Sequence, residues 1–270
     1  MRIASVGHGM FAAIMIALGI FGLIEGGFAP IWDGVPKALP AREALAYLCA
    51  IIALACGIGL LWKRTGALAA RTLFAYLLVW ILLVKGRFIL HDPLTEVNYE
   101  STGETAVSLA AAWVLYAWFA TDWDRKRLGF AVGDKGVRNA RVVYGLALIA
   151  FGLSHFAYLD NTASLVPGWL PWHVFWTSLT GTAYLAAGVA ILIGVYARLA
   201  ATLAALQIGL FGLLVWVPRL GAAHFGDDTW GEFGVSCALL AGAWVIADSY
   251  RSTPWLAIGK ARTSGSGSSP

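Results

Sequence analysis

Along the chain, apolar residues fall into eight blocks parted by short polar, Gly- and Pro-bearing segments: 9–24, 44–62, 72–84, 105–121, 142–159, 174–197, 199–218 and 233–247. A helix needs about 20 residues to cross roughly 30 Å of hydrocarbon. With their flanking residues most blocks reach that length, so the pattern predicts an all-α, polytopic membrane protein with eight transmembrane helices. Blocks 72–84 and 233–247 are the shortest and carry the weakest signal. The first block follows Arg2, as a cleaved leader would, but it runs on to Glu25 and belongs to the repeat described next, so it reads as a retained helix.

The blocks form two sets of four. V-P-x-x-L-P occurs at Val35–Pro40 and again at Val166–Pro171, an offset of 131 residues. Gly57 and Gly188 match at the same offset, as do Leu68-Ala69-Ala70 and Leu199-Ala200-Ala201. Phe21-Gly22-Leu23 matches Phe151-Gly152-Leu153, and Gly103-Glu104 with Val107-Ser108 matches Gly231-Glu232 with Val235-Ser236. Residues 8–122 therefore align with 141–250, a duplicated four-helix unit. Four is even, so both copies enter from the same side and are related by an axis along the membrane normal. The division is 1–122, a basic linker at 123–140, 141–250, and a tail at 251–270 that ends in RTSGSGSSP and reads as disordered. V-P-x-x-L-P reads as a stiff interfacial turn, with Pro40 and Pro171 in the first turn of the following helix and Trp32, Trp169 and Trp172 at headgroup level.

Charge orients this bundle. Only 13% of residues are charged, against 59% hydrophobic and a mean hydropathy of +0.73. Of the 19 Lys and Arg, 14 fall on the side of the termini, which the positive-inside rule makes cytoplasmic. The net charge of +4 is thus a topology signal, and no nucleic-acid-binding motif accompanies it. Cys49, Cys56 and Cys237 form no C-x-x-C and read as buried thiols.

Polar chemistry gathers on the opposite side: 11 acids against five bases, with His91, His155, His173 and His224. Ionisable groups at membrane depth are functional candidates by default. The repeat pairs Glu25 with His155, Arg87 and His91 with Arg219 and His224, and Glu104 with Glu232. These eight are the candidate ligand-binding residues of an outward-facing pocket. Arginine offers a fixed fork to an anion or carbonyl, and histidine moves protons near neutral pH. Each has a plainer reading as a helix cap, an ion-pair partner or a wet loop side chain. No H-x-x-H or H-E-x-x-H spacing predicts a metal, no Gly-rich loop a phosphate, and no nucleophile elbow a Ser-His-Asp triad.

G-L-S-H-F at 152–156, L-V-P-G-W-L-P at 165–171, G-x-x-x-L-A-A-G-V-A-I-L at 181–192 and A-R-L-A-A at 197–201 together resemble the DoxX/DoxD-like family of bacterial integral membrane proteins. The first half resembles a diverged copy, with G-L-I-E-G-G-F at 22–28 where G-L-S-H-F is expected. The resemblance implies a four-helix bundle in the bacterial inner membrane, associated with quinone-dependent oxidation and terminal oxidase systems. It implies a quinone as the candidate cofactor and a redox or membrane-protein subunit as the candidate partner, without a settled activity. A redox-accessory protein, a non-catalytic scaffold and a small-solute transporter all remain open at this point.

Overall fold

A computed structural model describes residues 3–258 apart from 33, 38, 225 and 226. The secondary structure of the described residues is helical, with one isolated bridge between Val195 and Ile258. Along the chain run α1 (Val6–Glu25), α2 (Arg42–Leu60), α3 (Gly66–Trp80), α4 (Gly86–His91), α5 (Glu96–Phe119), α6 (Asp122–Arg127), α7 (Gly133–Ala157), α8 (Leu159–Leu165), α9 (His173–Ile193), α10 (Ala197–Phe211), α11 (Val217–Leu220) and α12 (Asp228–Ser249). A single π-helical stretch, Ile81–Lys85, joins α3 to α4, and another, Gly212–Trp216, joins α10 to α11.

Seven helices among the described residues are long and apolar enough to cross a membrane: α1, α2, Gly66–His91, α7, α9, Ala197–Leu220 and α12. The two weakest sequence blocks lie inside long helices. Lys85, Arg87 and Glu232 interrupt the hydropathy while the backbone continues, as in Gly66–His91. The block at 105–121 becomes α5, 24 residues long, which is not among the seven. Its sequence is diluted by Glu104, Thr105, Ser108, Trp113 and Tyr116, and from Thr105 to Phe119 it is buried or half-buried throughout. A helix wrapped by other helices needs no lipid-facing apolar surface.

The packing is a closed ring. Neighbours run α1–α2–α3–α5–α7–α9–α10–α12 and back to α1, with α5 also touching α12 across the centre. Exchanging the halves leaves this pattern of neighbours unchanged, and the first helix of each half packs on the last helix of the other. Boundaries repeat as well: α3 and α10, and the two π stretches, lie 131 residues apart. Close approach needs missing side chains. A Cβ on Gly57 would fall 2.8 Å from the Ile16 nitrogen, and one on Gly188 would fall 2.7 Å from the Gly145 carbonyl. At the centre, a Cβ on Gly242 would meet Val107 at 2.8 Å.

Two ends result. At the end holding residues 3–6 and 250–258, two buried polar groups, His8 and Asp124, are satisfied. His8 is fully buried, its Nδ1 accepting from the Ala4 N–H at 3.0 Å, so the ring proton sits on Nε2, 3.0 Å from the Leu60 carbonyl. Asp124, 1% exposed, accepts from the Arg71 guanidinium at 3.2 Å, the Tyr116 hydroxyl at 2.9 Å, the Thr121 N–H at 2.9 Å and the Thr121 hydroxyl at 2.6 Å. Burial alone would raise its pKa, but these hydrogen bonds outweigh burial and hold the carboxyl below its usual range. Arg141 binds both the side chain and the carbonyl of Ser249. Residues 251–258, expected to begin a disordered tail, instead run back across this end. Arg198 binds the Thr253 carbonyl at 2.9 Å and stacks on Trp255, and the Tyr196 N–H donates to Ala257. Residues 259–270, which hold the rest of that tail, and Asp33 lie outside the described set.

Candidate functional site

The opposite end carries both V-P-x-x-L-P segments. Each one delivers the chain to its next helix in the same unusual way. The residue after the second proline, Ala41 or Trp172, takes a left-handed conformation (φ 54° and 57°) and serves as N-cap of α2 or α9. Pro40 and Pro171 thus stand just ahead of the helices rather than in their first turn: the left-handed cap between them reverses the chain before helical geometry begins.

Between the first helix and that shared cap, the two loops diverge. In the first half a single 3-10 turn, Pro30–Trp32, is drawn into the bundle, leaving Ile31 1% and Trp32 0% exposed. Trp32 meets Tyr76 edge-on at 4.9 Å and Trp80 at 5.7 Å, and Phe28 leans on Trp80 at 5.8 Å. The indole N–H groups of Trp32 and Trp80 have no hydrogen-bond partner among the described residues, so ring packing holds the turn in. Thr105 of α5 donates to the Ile31 carbonyl at 3.4 Å, and Gly231 and Gly234 of α12 face Pro30. Trp32 therefore departs from the headgroup position expected for it. Trp169 and Trp172 of the second loop are 71% and 76% exposed.

The eight sequence-predicted residues distribute around this end. Glu25 is exposed at the last position of α1. Arg87 is exposed on α4, donating to the Gly34 carbonyl at 2.8 Å and lying 4.5 Å over the Phe88 ring. His91 and His224 are exposed, and the His224 backbone N–H donates to Asp227 at 2.8 Å. Glu104 is half-buried in the third turn of α5, beside Thr105, while Glu232 is exposed on α12, beside Gly231. His155 is half-buried between α7 and α9, its Nδ1–H donating to the Phe151 carbonyl at 2.7 Å and its ring meeting Tyr184 edge-on at 5.4 Å. Arg219 donates to the Val215 carbonyl at 2.8 Å and lies 5.4 Å from the Trp216 ring. Both arginines and His155 are thus engaged with backbone carbonyls. None of the eight lines either of the two principal cavities.

Those cavities occupy corresponding places. One, of about 450 Å³, lies between α1 and α12 and is lined by apolar residues including Leu18, Phe21, Pro30, Trp230, Phe233 and Cys237. Glu25 and Glu232 are chain neighbours of lining residues there. The other, of about 580 Å³, lies between α5, α7 and α8 and is lined by Val97, Glu100, Tyr158, Leu165 and the polar side chains of Ser154, Asn161, Thr162 and Ser164.

Sequence reasoning passed over three groups that the fold makes prominent. Lys85, at the end of the first π stretch, is 2% exposed and donates to the Ser101 hydroxyl at 2.6 Å. Glu96 and Glu100, one helical turn apart at the start of α5, sit ahead of its apolar stretch. Both are half-buried there. Their four-residue spacing was the available signal. Among the described residues no group of three or more His, Cys, Asp or Glu could hold a metal ion. No family model, curated protein or solved structure matches the chain.

Proposed function

We propose that the protein is a duplicated, DoxX-like integral membrane protein that binds a lipid-soluble, quinone-like molecule in the cleft between α1 and α12 and serves as a redox accessory. In this reading eight helices span the bilayer, α5 being the eighth, as two parallel four-helix repeats. The termini are cytoplasmic, and the V-P-x-x-L-P end faces outward from a bacterial inner membrane. The repeated helix boundaries, the repeated π stretches and the exchangeable ring of neighbours support the duplication.

One observation carries the ligand: a cleft of about 450 Å³ between two apolar helices, walled by Phe21, Trp230 and Phe233 and, among the described residues, by no charged side chain. Its size lies in the range of small-molecule sites. A hydrophobic ring system gains from aromatic contact there, and it reaches the cleft by diffusing within the lipid. The chain's residues would bind and orient such a molecule. The engaged state of Arg87, His155 and Arg219 assigns no proton transfer to it.

The test is quenching of tryptophan fluorescence by a short-chain quinone in wild type and in Gly234→Leu. At Gly234 an added Cβ lies 3.7 Å from Pro30 and 3.8 Å from Leu18, so the larger side chain fills the cleft without a backbone clash. Affinity at least tenfold weaker in the variant, at unchanged thermal stability, is the expected result. Equal affinity removes the cleft from the account.

A scaffold reading is favoured by the same three side chains, each of which gives a hydrogen bond to a backbone carbonyl of its own helix or of the first loop. Saturable quinone binding separates the two readings.

A further inference from the structure

The second cleft has a different chemistry. Its polar wall is built almost wholly of acceptors. The hydroxyl hydrogen of Thr162 is spent on the Tyr158 carbonyl at 3.1 Å and that of Ser164 on the Asn161 carbonyl at 2.6 Å, while that of Ser154 is shared between the Phe151 carbonyl at 2.9 Å and the Glu100 carboxylate. What these three present to the cavity is oxygen lone pairs. Glu100 adds a carboxylate. Apart from Ser154 toward Glu100, the donors are the Tyr158 hydroxyl and the Asn161 amide, and among the described residues no lysine, arginine or histidine lines the space. An acceptor-rich wall with one fixed negative charge selects a cationic donor and rejects an anion. A volume of about 580 Å³ fits a molecule of several heavy atoms rather than a bare ion. Val97 and Leu165 supply apolar cover for a short carbon chain.

We infer that the cleft between α5, α7 and α8 is a binding site for a small primary ammonium, with Glu100 as its counterion and Ser154, Thr162 and Ser164 accepting its N–H donors. Burial of Glu100 agrees with this: a carboxylate kept out of water gains most from a matched cation. The site lies at the end of α7, beyond the apolar stretch. The same ammonium chemistry therefore comes either from a free amine or from an ethanolamine lipid headgroup.

Two measurements on the full chain test this. In detergent, calorimetric titration with ethanolamine is compared with ethylene glycol, its uncharged analogue, using wild type, Glu100→Gln and Thr162→Val. Nanodiscs of mixed phosphatidylethanolamine and phosphatidylglycerol, followed by native mass spectrometry, read the lipid retained. A free-amine site gives saturable ethanolamine binding, at least tenfold weaker in Glu100→Gln, several-fold weaker in Thr162→Val and absent for ethylene glycol. A headgroup site gives selective retention of phosphatidylethanolamine by wild type that both variants lose. Should Glu100→Gln fail to fold, Thr162→Val carries the comparison, since valine keeps the shape and deletes the acceptor. Binding of neither probe by wild type, or wild-type behaviour of the folded variants, overturns the proposal.

Discussion

The loops at 26–41 and 158–172 share a spelling, V-P-x-x-L-P, and a left-handed residue handing the chain to the next helix, yet the first buries its Pro30–Trp32 turn while the second leaves its tryptophans open. The difference is decided outside the loops. In the first half Tyr76 and Trp80 of α3 offer ring edges to Trp32. At the offset of 131 the second half has Gln207 and Phe211. Gln207 turns away, donating to the Thr180 carbonyl at 3.1 Å. With no aromatic box to enter, the second loop forms the short α8 and leaves its tryptophans at the surface. The clefts differ accordingly. Pro30 of the buried turn gives the α1–α12 cleft an apolar wall, whereas α8 brings Asn161, Thr162 and Ser164 to the cleft between α5 and α7. A duplicated backbone can thus hold two unlike sites through the side chains its loops pack against.

Breaking the buried turn gives the largest effect. Trp32→Ala deletes a fully buried ring and is expected to cost about 3–5 kcal/mol, the usual range for large-to-small aromatic changes in cores. Thermal unfolding in detergent checks this, with Trp169→Ala leaving the midpoint unchanged. If both variants unfold together, the contrast between the loops is lost. Next come Gly57→Ala and Gly188→Ala, whose new methyl groups would strike backbone at 2.8 and 2.7 Å. Each is expected to cost about 1–3 kcal/mol, and the two by similar amounts, because they seat corresponding helix pairs. A large inequality would argue against equivalent halves.

The smallest effect is electrostatic. Asp124 has its folded pKa depressed, so its contribution is present above the unfolded value of about 3.9 and is lost as pH falls through the folded one. Asp124→Asn should abolish that part of the acid sensitivity. Melting curves across pH measure this, and matching slopes for wild type and variant would contradict the assignment.

Much of this fold is legible in the sequence because hydrophobic blocks and helix boundaries are local properties. The matched glycines at 57 and 188 already name where helices touch. The burial of Trp32 requires reading Tyr76 and Trp80 against Gln207 and Phe211, a comparison between distant positions. The clefts are least legible. They depend on how far two helices stand apart, and on hydroxyl hydrogens being spent on carbonyls one turn away, as at Thr162. The paired polar residues Glu25, Arg87, His155 and Arg219 were found by residue type, but type does not tell which way a side chain turns. His155 turns toward Tyr184, and Arg87 toward Gly34.

The account stands on a lipid-soluble ligand seated between α1 and α12. Photo-crosslinking with an azido-quinone in proteoliposomes, followed by peptide mapping, tests it most directly. Labels confined to residues 14–24 and 230–237, and lost in Gly234→Leu, are the result predicted. Labels on α5 and α7 instead, or a pattern unmoved by that substitution, would contradict it.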